Sequence, residues 1–188
     1  MIETPRALAL VGMPGAGKTL CAQHLEARGY AYFRFGKIVV DEVIQRGLTV
    51  IAENERQVRE DLRAREGMNA IALRALPHLK NALQTHRCLV IDGLYGFGEY
   101  KLLRAELGAA MVVVAIVSPR HLRYQRLATR AERPLTSGEA EARDYREIET
   151  LEKGGPIAIA DYTLVNDKNT EDLLQALDAL TDQLQFHP

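Results

Sequence analysis

Residues 12–19 read G-M-P-G-A-G-K-T, which meets the pattern G-x-x-x-x-G-K-[ST] at every fixed position. This feature constrains the chain most, because the pattern has meaning only where a strand passes through a loop into a helix. Its flanks supply that junction. Residues 7–11 are uninterruptedly apolar, as a strand buried on both faces must be, and residues 20–27 are compatible with a helix. Gly15 and Gly17 free the backbone to wrap inward, so that successive N–H groups converge on phosphate oxygens. The helix N-terminus adds its partial positive charge at the same place. In such a loop Gly12, Met13, Pro14, Gly15, Ala16 and Gly17 form the cradle, Lys18 reaches the β/γ-phosphates and the Thr19 hydroxyl holds Mg2+. A glycine-rich turn with a chance lysine is the competing reading, and the strand and helix on either side weigh against it.

Short apolar runs recur downstream at residues 31–35, 88–91, 111–117 and 162–165, separated by helical stretches. With residues 7–11 they predict five buried parallel strands in a doubly wound α/β arrangement. No repeat, low-complexity segment or linker divides the chain, so one domain over residues 1–188 is expected. The clearest helix is the last: Leu173, Leu177, Leu180 and Leu184 share a face, and Glu171 and Asp172 stand in its first turn, where the helix dipole favours acid. Residues 53–84 are polar and helical but contain Gly67 and Pro77, which predicts two helices beside the sheet.

The formal net charge of −1 excludes a general nucleic-acid binder, which carries a basic excess. Basic residues are mostly arginine, 18 of 24. That suits planar, bidentate phosphate recognition, although a high-GC codon bias produces the same excess. Cys21 and Cys88 fall in a predicted helix and strand and read as core thiols of a reducing compartment. No apolar run is long enough to span a membrane and the N-terminus has no signal-like region, so a cytoplasmic protein with no membrane partner is expected.

The run C-L-V-I-D-G ends an apolar strand with Asp92. A carboxylate there, beside the loop-bearing strand, is where Mg2+ is held directly or through water. An ordinary Asp-Gly turn is the alternative. Gly93 follows, where AAA-type and transporter ATPases usually place a water-activating glutamate, and this favours transfer to an acceptor over hydrolysis. From residue 120 onward arginines accumulate. Arg123, Arg126 and Arg130 recur at i, i+3 and i+7 on one predicted helix face, and such like charges repel unless anions meet them. Pro134, Ser137 and Gly138 then break the chain before a second helix carrying Arg143 and Arg146. This layout predicts a lid over about residues 126–150, with Arg126 and Arg130 neutralising a transferring phosphoryl group. Surface pairing with Glu132, Glu139, Glu141 and Glu147 is the alternative.

Together these motifs resemble the nucleoside-monophosphate-kinase-like group of P-loop kinases. The ending I-A-D-Y-T-L-V-N-D-K-N-T-E-D-L (residues 159–173) resembles dephospho-CoA kinases and kinase-like proteins related to them. The stretch D-L-R-A-R-E-G (residues 61–67) and the pair Arg143-Asp144 are similar to those relatives. The resemblance implies a three-layer α/β/α P-loop NTPase fold with a five-stranded parallel sheet, an acceptor-side helical insertion at about residues 36–84 and a helical lid. It implies ATP and Mg2+ as donor and metal, a small nucleotide-like molecule as phosphoryl acceptor, and Asn166, Asp167 and Lys168 near the base. One departure is plain. The relatives often read G-D-x-x-R at the start of the second helix, whereas this chain has Gly36-Lys37-Ile38-Val39-Val40. The acceptor side is therefore less defined, with Arg34, Lys37, Arg63 and Arg65 as the available cations. A nucleotide-binding regulatory protein without transfer activity and a hydrolytic NTPase are the rival readings. The oligomeric state and any ATP/GTP preference are not expressed in the sequence.

Overall fold

The structure, a computed structural model, describes residues 6–131 and 133–188. Glu132 and the N-terminal reading of residues 1–5 lie outside the described residues. Five strands, β1 (Ala7–Val11), β2 (Ala31–Arg34), β3 (Leu89–Asp92), β4 (Met111–Val117) and β5 (Tyr162–Val165), form one parallel sheet in the order β2-β3-β1-β4-β5. The expected runs differ by a residue at two places. β2 stops at Arg34 because Phe35 already has helical backbone angles, and Cys88 precedes β3, which instead includes Asp92.

Nine helices accompany the strands among the described residues: α1 (Lys18–Ala27), α2 (Gly36–Gln45), α3 (Ala52–Glu66), α4 (Ala70–Thr85), α5 (Phe97–Leu107), α6 (Arg120–Thr129), α7 (Ser137–Glu149), α8 (Gly154–Ala158) and α9 (Thr170–Gln183). The polar stretch at 53–84 does form two helices, α3 and α4, parted at Gly67, whose φ of 87° ends α3. On α9 the expected leucines Leu173, Leu177 and Leu180 are buried, and Asn169 caps its N-terminus by accepting from the Asp172 N–H at 2.8 Å.

β1 is apolar throughout because each of its faces is covered. Leu8 and Leu10 pack with Cys21, Ala22 and Leu25 of α1 and Leu173 and Leu177 of α9. Ala7, Ala9 and Val11 face Val39, Val58, Leu62, Ile71, Leu79 and Leu103, contributed by α2 to α5. The two-residue period of a strand thus divides one apolar run between two cores. These layers make the three-layer α/β/α arrangement of P-loop kinases. β1 lies between β3 and β4, with Leu10 in register with Asp92 on one side and Val114 on the other. Consecutive strands diverge to opposite sides of β1 at this point, and in open parallel sheets the crevice beyond the strand ends at such a switch is where ligands bind.

Candidate active site

The loop from Gly12 to Gly17 leaves β1 and enters α1 at Lys18. Gly15 and Gly17 adopt φ of 77° and 111°, and side chains there would be strained, which accounts for glycine at both positions. The loop is braced from outside. Arg123 of α6 donates to the Pro14 carbonyl at 2.9 Å, and the Asn166 side-chain amide donates to the Ala16 carbonyl at 2.8 Å. With those carbonyls bound from behind, the loop needs no ligand to keep its curvature. Lys18 folds over it and donates to the Gly12 and Met13 carbonyls at 2.7 and 3.2 Å. Thr19 is exposed on the first turn of α1.

Asp92 is buried at the carboxyl end of β3 and accepts from the Tyr32 hydroxyl at 3.1 Å. Burial and the Asp92 charge hold the Tyr32 phenol well above its ordinary range, so Tyr32 remains a hydrogen-bond donor. Lys18 and Asp92 are electrostatic neighbours. Burial and the nearby Lys153 lower Lys18 to about 7, against the opposing pull of Asp92 and Glu147. The Lys18 ammonium is thus under-compensated, which suits a group that receives phosphate. Among the described residues no three His, Cys, Asp or Glu side chains converge as a metal cage. A cation held by Thr19 and Asp92 would complete its shell with water and phosphate oxygens, as Mg2+ commonly does.

Gly93 has φ of 94°, and a Cβ there would stand 3.3 Å from Phe35 and Tyr95 side-chain atoms. A side chain there would be strained by the left-handed backbone and tightly spaced.

The arginine-rich segment differs from its expectation. Arg123, Arg126 and Arg130 do not form a row awaiting phosphate. Arg123 is buried and makes a two-pronged ion pair with Asp144 of α7, at 3.0 and 2.6 Å. Arg126 donates to the Ser118 hydroxyl at 2.9 Å and to Asn166, at its Oδ1 (3.1 Å) and its carbonyl (3.2 Å). Arg130 ends α6 and donates to the Arg133 carbonyl. The anions and dipoles that meet the first two come from the protein, and Asp144, 21 residues after Arg123, is not visible from helix periodicity. Of the acidic partners expected on the surface, Glu141 pairs with Arg120, Glu147 with Arg143, and Glu139 closes the N-terminal cap of α7 with Thr136. Asp144 and Glu147 anchor α7 to neighbouring elements, so the inner side of the expected lid is built into the body.

The Asn166 side chain, expected near a nucleotide base, is held at both ends, by Ala16 and Arg126; Asp167 and Lys168 beside it are exposed. Of the four acceptor-side cations, Lys37 and Arg65 are exposed and paired one turn away, with Asp41 at 2.6 Å and Asp61 at 2.8 Å, because i,i+4 neighbours on a helix are nearer than any acceptor crevice. Arg34 ends β2 in register with Asp92 and stays near the site. Arg63 is largely buried with its Nε unpartnered.

No sequence signal marks Lys153, which follows α7 and is only 1% exposed. Its ammonium bonds to Glu147 and lies 4.5 Å from the Tyr95 ring centroid, a cation–π contact. Burial lowers the Lys153 pKa although Glu147 opposes the shift. Burial disfavours the Glu147 carboxylate, but Lys153 and Arg143 outweigh it and hold the group below its ordinary range. Glu152, just before Lys153, has the uncommon φ of 52°. A buried lysine following a left-handed residue has no sequence signature. Glu99 did have one, since a glutamate three residues after the Gly96 cap is an N-terminal helix signal.

A family model described as "AAA domain" matches residues 8–151. A UPF0200 protein of Thermococcus onnurineus (strain NA1) is 32% identical over 180 residues, covering 94% of this chain and 97% of that protein. The chain belongs to the AAA domain family and to the UPF0200 proteins. The glycine at position 93 thus stands within an AAA-family chain. In fold, the chain is similar to TT1252 from Thermus thermophilus (TM-score 0.66, 19% identity, 97% of this chain and 99% of that one). It is also similar to a gluconokinase from Sinorhizobium meliloti 1021 (TM-score 0.58, 16% identity, 97% of each chain). A shikimate kinase from Acinetobacter baumannii gives a TM-score of 0.55 at 21% identity, over 98% of this chain and 96% of that one. The fold of this AAA-family chain is thus shared with small-molecule P-loop kinases. Among the described residues no helix is long and apolar enough to cross a membrane.

Proposed function

We propose that this chain is a cytoplasmic ATP-dependent phosphotransferase acting on a small molecule, working without nucleic-acid or membrane partners. The observation that carries the reading is the in-register placement of Asp92 beside the strand that opens into the braced phosphate loop, followed by a glycine in a left-handed conformation. The loop amides and Lys18 would grip the donor phosphates, and Thr19 and Asp92 would hold Mg2+, which neutralises phosphate charge when bound. Transfer of this kind is largely positioning and charge neutralisation, and glycine at position 93 offers no side chain to activate water.

Arg126 acts in this reading through Asn166, which it orients against the loop, and Arg143 with Lys153 supplies positive charge near Lys18. Arg130, which follows α6, is the arginine this reading assigns to the transferring phosphoryl group. Lys168, exposed after β5, is the remaining candidate at the base. The dephospho-CoA-kinase-like ending points to a nucleotide-like acceptor, while the gluconokinase and shikimate kinase among the fold neighbours point to small hydroxylated acids. Arg34 and Arg63 are the acceptor-side cations that the geometry favours.

A coupled ADP-release assay tests the proposal, with and without panels of nucleotides and hydroxy acids. Acceptor-stimulated release that disappears in a folded Lys18→Ala protein supports transfer. Release indifferent to every acceptor identifies an NTPase, and ATP binding without turnover identifies a regulatory binder.

A further inference from the structure

A cavity of about 170 Å3 is lined by Arg63 of α3, Asn69 before α4, Gly96, Glu99 of α5, and Leu151 and Glu152 after α7. Two buried polar atoms here lack a hydrogen-bond partner: Arg63 Nε, a donor, and Glu99 Oε1, an acceptor that makes only a long ion pair with Arg63. Glu99 is 2% exposed. Its other oxygen accepts from the Tyr95 and Gly96 N–H groups at 2.9 and 3.1 Å, which fixes the carboxyl and leaves Oε1 free. The Arg63 guanidinium comes no closer to Oε1 than 3.8 Å, beyond hydrogen-bond distance. Leaving such atoms unsatisfied costs about 1–3 kcal/mol each, so an unmatched buried donor and acceptor in the wall of a cavity mark a place where a ligand completes the bonding.

Leu151 and Glu152 lead directly into Lys153, which is an electrostatic neighbour of both Glu99 and Lys18. Arg59, one turn before Arg63 on α3, is another positive neighbour of Arg63. Glu99 acts on Arg63 more strongly than Arg59 does, yet Arg63 Nε still lacks an acceptor, and a guanidinium suits an anionic one, whereas Glu99 Oε1 calls for a hydroxyl. The volume is close to that of cavities that take a single six-membered ring and far below that of drug-sized pockets.

We propose that this cavity binds the non-reacting end of the phosphoryl acceptor, and that the acceptor is a small hydroxylated carboxylate whose carboxylate meets Arg63 and whose hydroxyl donates to Glu99. This rests on the transferase reading above but is tested apart from it. The full chain would be titrated calorimetrically with D-gluconate and shikimate, in the presence of ADP, with hexanoate (no hydroxyls) and sorbitol (no carboxylate) as controls. Saturable binding of either hydroxy acid, absent for both controls and weakened tenfold or more by Arg63→Met and by Glu99→Gln with ADP affinity unchanged, is the expected result. Glu99→Gln preserves an acceptor for the two N–H groups and so carries the test if Arg63→Met fails to fold. No binding of either acid, or binding indifferent to both variants, overturns the proposal and leaves the cavity to water. Lys18→Ala should lose nucleotide binding yet keep the hydroxy acid. If variant-sensitive acid binding appears while no acceptor stimulates ADP release, the cavity assignment stands and the transfer reading falls.

Discussion

Lys18 provides a quantitative test of the site through proton uptake. Burial and Lys153 hold its pKa at about 7, against an ordinary 10.5. At pH 8 a group of pKa about 7 is protonated in only about one molecule in ten. Donor phosphates beside the ammonium restore its charge and move the pKa back up. Nucleotide binding at pH 8 should therefore take up about 0.9 proton. If only the charged form grips phosphate, affinity should follow the protonated fraction, which drops about 20-fold between pH 7.5 and pH 9, a window in which nucleotide phosphates are already fully ionised. Calorimetry of Mg2+-ADP binding at pH 8, in two buffers of different ionisation enthalpy, measures the uptake directly. Lys18→Arg should abolish both the uptake and the slope, because arginine remains charged throughout. Lys153→Met should shift the affinity profile to higher pH, since it removes the like charge that acts most on Lys18. Uptake below about 0.2 proton together with a flat pH profile would refute the electrostatic account of the site.

The same shift fixes a stability trend. The unfolded chain binds the Lys18 proton up to pH 10.5 and the folded chain only to about 7, so the unfolded state holds more protons in between. Stability of the unliganded protein should rise with pH across that window, by at most about 1.4 kcal/mol per unit and less because Lys18 is partly exposed; denaturant midpoints of wild type and Lys18→Met check this. Asp92→Asn should reduce turnover by about 100-fold or more while changing nucleotide affinity far less, since the loop amides remain; equal loss of both would make Asp92 a turn residue. Arg123→Met strands the buried Asp144 and should cost about 3–5 kcal/mol, read from thermal and denaturant unfolding. Asn166→Ala should weaken nucleotide binding, because the Ala16 carbonyl loses its donor and Arg126 an acceptor, whereas contact with a base alone would leave unliganded stability unchanged.

What could be read in the sequence follows how local each feature is. The phosphate loop, the five strands and the leucine face of α9 depend on contiguous or periodic residues, and the structure places them at or within a residue of their expected positions. Asp92 was legible as a strand end, and adjacency to β1 then followed from the sheet order. The arginines were not legible in the same way. Periodicity places Arg123 and Arg126 on a face, but which acceptors meet them depends on Asp144 folding back from α7 and Asn166 arriving from the far end of the chain. Lys153 carries no nearest-neighbour sign of its burial after the turn at Glu152, and the cap spacing that marks Glu99 does not show that its second oxygen lacks a hydrogen-bond partner.

The bracing of the phosphate loop has a consequence for how the protein is made. The motif is complete by residue 19, but the groups that hold its carbonyls from behind are Arg123 and Asn166, and β1 gains its neighbours only with β3 and β4. A nascent chain emerging from the ribosome thus carries the phosphate-binding sequence long before it has the shape to use it. Nucleotide cannot rescue an early intermediate of such a chain, and truncations that stop short of residue 166 should lack a competent loop although every residue of the motif is present.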